Sequence, residues 1–275
     1  MSGKTFPPLL TYDMAAECYA FSTARGESVG TGVYSQFNIS PYCGDCEEHV
    51  RECRQKLVQT LEIDDSRLLL PHQTHGTHYL WVDETFFESS VAERRRNLDG
   101  VDALLTKLPG VCVGVSTADC VPVLLYAGDG PCVGAVHAGW RGTVGRILSG
   151  VVDSMLERNI RPGSICAVIG PCISLEAFEV GDEVYDAFMQ AGFPPRIARR
   201  FSKNEGVPRW HLDLVAANVL QLLEKGIPAS QIQQAGICTY SSSEYFFSAR
   251  KLGVACGRIF NGVMLRGSLA AQSLP

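Results

Sequence analysis

Residues 111–142 read VCVGVSTADCVPVLLYAGDGPCVGAVHAGWRG. Three apolar runs lie in this stretch, Val111–Val115, Val121–Tyr126 and Val133–Val136. Each is short, rich in valine and bounded by polar or glycine-containing breaks, which reads as a strand. The first two follow each other with no room for a helix between them. That spacing predicts an α+β fold rather than a regular alternation of strand and helix. Further strands are expected at Leu68–Leu70, Tyr79–Val82, Ala103–Thr106, Ile165–Ile169, Ala235–Thr239 and Arg258–Leu265. A helix is expected over Val144–Glu157, where Val144, Ile147, Leu148, Val151, Val152 and Met155 repeat with the helical period. Two more are expected at Val180–Ala191 and Leu214–Lys225, the latter with Asp213 as N-cap and Gly226 beyond its end.

The breaks carry the chemistry. Pro71–Gly76, Ser116–Cys120 and His137–Gly142 each follow a predicted strand. A polar residue just past a buried strand is rigidly held and can still point into a cleft. His75, Cys120 and His137 together offer two imidazoles and a thiolate. Such a set suits Zn²⁺ and leaves a fourth position for water or substrate, the catalytic pattern. Each residue alone has a plainer reading: Cys120 as a small buried hydrophobe, either histidine as a satisfied polar group. His72 and His78 flank His75, but Pro71 and Gly76 argue against a helix joining them, so they are expected around the site or on the surface.

After His137, Gly139-Trp140-Arg141-Gly142 leads into a helix opening at about Thr143. Free backbone N–H groups and the Arg141 guanidinium there would suit a phosphate or carboxylate. The competing reading pairs Arg141 with Asp119 and lets Trp140 simply pack.

Composition narrows the classes. The chain has 275 residues, 46% hydrophobic and 19% charged, enough for a full core. No linker or repeat divides it, so a single domain over 1–275 is expected. A net charge of −5 gives no drive toward nucleic acid. The basic runs Arg94-Arg95-Arg96 and Arg196, Arg199, Arg200, Lys203 read as solvated faces. No apolar run is long enough to span a membrane, and Met1–Met14 does not read as a signal peptide. Eleven cysteines, an odd number scattered through apolar runs, suggest reduced thiols and a cytoplasmic protein. Cys43 and Cys46 form a C-x-x-C pair without a second pair to complete a zinc site, and read as structural.

The strings Gln73-Thr74-His75-Gly76, Asp102-Ala103-Leu104-Leu105-Thr106, Thr117-Ala118-Asp119-Cys120 and His137-Ala138-Gly139-Trp140-Arg141-Gly142-Thr143 resemble those of the YfiH or laccase-domain family. That family is also called the polyphenol oxidase or purine nucleoside phosphorylase family. Phe21-Ser22-Thr23, Ile169-Gly170-Pro171-Cys172-Ile173 and Phe246-Phe247-Ser248-Ala249-Arg250 extend the likeness from about residue 20 to about residue 265. Departures fall near the N-terminus: Ala24 intervenes before Arg25, Glu27 stands where a glycine is usual, and Cys53-Arg54 replaces an Asn-Arg pair.

The resemblance implies a single-domain, layered α/β/β sandwich with mixed sheets. It implies Zn²⁺ held by His75, Cys120 and His137, with Cu²⁺ as a possible substitute. It further implies phosphorolysis of adenosine, inosine and methylthioadenosine, together with adenosine deamination. Catalytic candidates are then His75, Cys120, His137 and Asp119, and substrate-binding candidates are Arg141, Gln73 and Arg25. The expected partners are a purine nucleoside and phosphate, with no nucleic acid or membrane and a monomeric chain. One alternative is a metal-free cysteine hydrolase or deamidase, for example on a peptidoglycan precursor, with Cys120 as nucleophile and His137 as base. Another is a copper polyphenol oxidase side activity. A multicopper oxidase draws on many histidines in His-x-His pairs, and this chain has six histidines and no such pair.

Overall fold

Strands and helices follow one another through the computed structural model, which describes residues 8–26, 32–34, 36–202 and 206–267. The strands are β1 (Leu9–Tyr12), β2 (Cys18–Thr23), β3 (Leu68–Leu69), β4 (Tyr79–Val82), β5 (Ala103–Thr106), β6 (Cys112–Thr117), β7 (Val121–Ala127), β8 (Cys132–Ala138), β9 (Ile165–Ile169), β10 (Glu179–Val180), β11 (Ala198–Phe201), β12 (Arg209–Leu212), β13 (Ile232–Gln234) and β14 (Ile259–Leu265). The helices are α1 (Glu47–Leu61), α2 (Glu84–Glu88), α3 (Val91–Asn97), α4 (Trp140–Val144), α5 (Ile147–Leu156), α6 (Asp182–Gln190), α7 (Leu214–Glu224) and α8 (Ala249–Leu252). One sheet has the order β13-β9-β7-β8-β5-β4, a second β1-β2-β14-β6-β3, and a small third β10-β12-β11. The first two mix parallel and antiparallel pairs.

Alternation along the strands builds the layers. In β7, Val121, Val123 and Leu125 face one core with helices α5, α6 and α7 beyond it, while Leu124 and Tyr126 face the five-stranded sheet. In β14, Val263 and Leu265 answer them from that sheet. Phe260 and Met264, on its other face, pack with Leu57, Val58 and Leu61 of α1. Strands buried on both faces explain why these runs are apolar throughout rather than alternating. The sandwich is therefore α+β and layered as expected, with one helical layer more: α1 covers the outer face of the five-stranded sheet.

Most expected elements form, several with identical bounds, among them 79–82, 103–106 and 165–169. The strand expected at Ala235–Thr239 does not. Three residues upstream, Ile232–Gln234 pair in parallel with Ala167–Ile169, and Gly236 at φ +67° turns the chain away. The helix expected over Val144–Glu157 is instead two helices, α4 and α5, broken where Arg146 takes a left-handed φ of 61°. Gln221 of α7 closes that break. Its Nε2 donates to the Thr143 carbonyl at 3.2 Å, which also accepts the Arg146 N–H at 3.1 Å, and its Oε1 accepts the Ser149 N–H at 3.2 Å. Asp213 caps α7 through the Ala216 N–H at 2.8 Å, as expected.

Helix α1, β1, β2 and the small sheet were not foreseen. Cys46 is the N-cap of α1, its sulfur accepting the His49 N–H, and Cys43 Sγ lies 3.4 Å from the Ser40 carbonyl. Both members of the C-x-x-C pair thus serve the local chain. Glu27 and Lys203 lie outside the described residues. Among those described, no helix is long and apolar enough to cross a membrane.

Candidate metal centre

Antiparallel register sets Pro122 of β7 opposite His137 of β8. Cys120, two residues before Pro122, is thereby carried to the end of β8 where His137 sits. The β3–β4 loop delivers His75 to the same place. Two of these loops depend on backbone that side chains seldom adopt: His75 has φ 60° and Asp119 φ 94°. The donor atoms of His75, Cys120 and His137 all lie within 4.8 Å of one another, the one such group among the described residues. The two imidazole rings meet edge-on, 80° apart with centroids at 4.8 Å. His137 is buried, Cys120 partly so, and His75 is exposed, which makes the cluster open on one side.

A tetrahedral Zn²⁺ with bonds of about 2.0–2.3 Å spaces its donors roughly 3.3–3.8 Å apart, so a contraction of about 1 Å would bring all three onto one ion. Gly139 keeps the necessary space clear. A Cβ at that position would lie 3.0 Å from Cys120 Sγ, 3.1 Å from His75 Cδ2 and 3.6 Å from His137 Cε1. The donor set and this space fit a catalytic zinc.

Electrostatics favour a thiolate here. Burial pushes the Cys120 thiol up, but the charge of His137 and hydrogen bonds from both imidazoles outweigh it, leaving the pKa below that of an ordinary thiol. For His137, burial pulls the other way, and the Cys120 sulfur together with Asp102 holds it above the usual imidazole range. The Cys120 shift opposes that of the other buried thiols: burial is the main cause that drives Cys132 up to about 12.

Both carboxylate oxygens of Asp119 are engaged by other segments. Its Oδ1 accepts from Thr239 Oγ1 at 2.6 Å and its Oδ2 from the Arg250 N–H at 2.7 Å, while its carbonyl accepts the Ile173 N–H at 2.9 Å. The loop that carries Cys120 is thus anchored to three distant segments. The Phe246–Arg250 string is explained by the same contact: Phe246 and Phe247 pack with Ala118, and Ser248 caps α8 through Lys251 N–H. Gln73 clips the His75 loop to the end of β6, its Nε2 donating to the Ser116 carbonyl at 2.9 Å and its Oε1 accepting the Ser116 N–H at 2.7 Å.

Arg141 is exposed and stacks on Trp140 at 4.3 Å, and among the described residues no carboxylate pairs with it. The expected competitor, Asp119, is occupied elsewhere. Arg25 is half-buried, held by Gln36 Oε1 at 2.5 Å and by the Ser243 carbonyl, with Phe247 beneath its guanidinium. His72 pairs with Asp99 at 2.6 Å and stacks on Tyr42, away from the donor cluster.

Asp102 was missed as a site residue. It is fully buried, and His137 Nδ1 lies 2.7 Å from its Oδ1. Burial raises its pKa, yet the hydrogen bond and charge of His137 and the N–H groups of Gly76 and Thr74 bring the net value below the ordinary carboxylate range. The available signal was a lone acid among Val101, Ala103, Leu104 and Leu105, since a buried charge has to be paired.

A model of the multi-copper polyphenol oxidoreductase laccase family matches residues 19–266. A purine nucleoside phosphorylase of Bacteroides thetaiotaomicron is 44% identical over 250 residues, spanning 89% of this chain and 90% of that protein. The protein named adenosine deaminase RL5, from an unknown prokaryotic organism, is 41% identical over 244 residues, 89% of this chain and 92% of its own. The crystal structure of the Bacillus licheniformis hypothetical protein YfiH superposes with a TM-score of 0.85 at 27% identity, covering 95% of this chain and 98% of that one.

Proposed function

Because the chain belongs to the multi-copper polyphenol oxidoreductase laccase family, whose relatives here include purine nucleoside enzymes, we propose that it is a zinc-dependent enzyme acting on purine nucleosides. The observation that carries this reading is the convergence of His75, Cys120 and His137 on one space. The family's copper name does not fit it. The described residues gather one group of three donors, and a multicopper oxidase requires several.

When bound at these donors, zinc supplies Lewis acidity and lowers the pKa of a coordinated water toward about 7. The chain's own residues do the rest. Cys120 and His137 hold the buried side of the site and His75 its open side, where a nucleoside enters. Arg141, with no acid to neutralise it, offers a planar guanidinium to phosphate. Arg25 is our further candidate for a substrate contact. Gln73 and Asp119 act by holding the His75 and Cys120 loops. In phosphorolysis a phosphate oxygen bonds to the ribose C1′ as the C–N bond breaks, and the base leaves with a proton on its ring nitrogen. In deamination water adds at C6 of adenine and ammonia departs.

The contact between Cys120 and His137 favours a second reading, a metal-free thiolate nucleophile with an imidazole base. One experiment separates the two. Metal content per chain is measured on wild type and Cys120→Ala, beside base release from inosine and adenosine with and without phosphate. The Cys120 peptide is then followed by mass spectrometry during alkylation. Stoichiometric zinc lost in the variant, phosphate-dependent base release and labelling only after chelation are expected. Fast labelling without chelator in demonstrably zinc-free protein, with no base released, would favour the cysteine enzyme instead.

A further inference from the structure

Every polar atom of Asp102 is spent on the two histidine segments. Its Oδ1 accepts the His75 N–H at 3.0 Å and lies 2.7 Å from His137 Nδ1. Its Oδ2 accepts the Gly76 N–H at 2.7 Å and the Thr74 N–H at 3.2 Å. Its own N–H donates to the His78 carbonyl and its carbonyl accepts the His137 N–H, both at 2.8 Å. Three successive N–H groups closing on one oxyanion form the concavity that elsewhere binds a free anion. Here the anion is the chain's own carboxylate, and the fold of that concavity is what places His75 at φ 60°.

We propose that Asp102 is the positioning residue of the metal centre, assembling two of its three ligands before any metal arrives. By accepting from Nδ1 of His137 it fixes the proton there and leaves Nε2 as the donor. By gathering the Thr74–Gly76 amides it holds the His75 loop in its left-handed turn. The carboxylate does not reach the metal itself. It sets the angle between two imidazoles, one carried by the β3–β4 loop and one by β8, so the site is formed by the fold and only filled by the ion. This role rests on reading the cluster as a metal site.

The test uses the full chain stripped by a chelator. Amide exchange at His75 and Gly76 is followed by NMR, and Zn²⁺ affinity is measured by competition with a chromophoric chelator. In the stripped wild type these amides are expected to be protected, and the zinc-loaded form should show a downfield, slowly exchanging ring N–H proton of His137. Asp102→Asn keeps an oxygen for the Thr74 and Gly76 amides but sets an N–H against both His137 Nδ1 and the His75 N–H, which share Oδ1. It should keep protection at Gly76 within a few-fold, lose it at His75 together with the ring proton, and bind zinc about 10–100-fold more weakly. Asp102→Ala should lose both protection and affinity. Wild-type zinc affinity in Asp102→Asn overturns the proposal. So does free exchange in the stripped wild type that slows only when zinc is added, a result that needs no variant to fold. A wild type that binds no zinc sinks the metal reading itself, and protected amides beside that result mark its failure as separate from that of the Asp102 contacts.

Discussion

Gly139→Ala adds one methyl group at the centre of the donor cluster. The new Cβ would sit 3.0 Å from Cys120 Sγ and 3.1 Å from His75 Cδ2, about 0.5–0.9 Å inside normal contact distance. Backbone strain is not at issue, because Gly139 has φ −65° and ψ 169°, open to any residue. Alanine is a poorer N-cap than glycine for α4, costing up to about 1 kcal/mol. It also lowers unfolded-chain entropy, returning about 0.4–1 kcal/mol. These nearly cancel, and the crowding decides the result. His137 is buried and tied to Asp102, so relief must come from Cys120 and His75, the two ligands with room to move. We expect the stripped variant to melt no more than about 4 °C below wild type and to bind zinc about 10–100-fold more weakly. Calorimetry of the stripped protein and chelator competition measure the two quantities separately. Wild-type zinc affinity in Gly139→Ala would refute the reasoning, since two ligands crowded by one methyl could not then share an ion undisturbed.

Arg141→Ala should raise the phosphate KM at least tenfold and leave zinc affinity unchanged, with Arg141→Lys intermediate because it keeps charge without the planar fork; steady-state kinetics with equal KM in all three would remove Arg141 from the site. Gln221→Ala leaves the Ser149 N–H without its partner, while the Thr143 carbonyl keeps the Arg146 N–H at 3.1 Å, so a loss of about 2 kcal/mol is expected, a drop of about 5 °C in melting temperature. A shift under about 2 °C by calorimetry would mean that the α4–α5 break is held by other contacts.

His75, Cys120 and His137 were legible because each lies where an apolar run stops, and strand ends are positions that sequence period marks well. Asp102 was not, although it touches two of them. It sits one residue before a strand whose apolar run dominates the local pattern, and its meaning is three-dimensional, in amides 26–28 residues away. Asp119 was legible as a member of the Cys120 loop, but its contacts were not. Its partners Thr239 and Arg250 lie 120 and 131 residues downstream, and no local pattern forecasts that distance. Helix α1 shows a different failure. Val50, Cys53, Leu57, Val58 and Leu61 keep a helical spacing, but dense charge between them hides the stripe. The α4–α5 break escaped notice because the apolar period runs through it, and only the partner helix supplies the glutamine that stabilises it.

The place of β14 bears on how the protein is made. This strand, residues 259–265, inserts between β2 and β6, which leave the ribosome long before it. Until it emerges, each of those strands presents an open edge able to pair with another chain. Helix α1 also waits, lacking Phe260 and Met264 beneath it. The six-stranded sheet has no such dependence, since its last strand ends at Gln234. Synthesis order therefore favours a nascent chain whose helix-covered half is folded while its other sheet stands open, then closes in one slow, long-range step. That interval is when aggregation competes with folding, and a lesion in the last strand would prolong it while leaving every metal-binding residue in place.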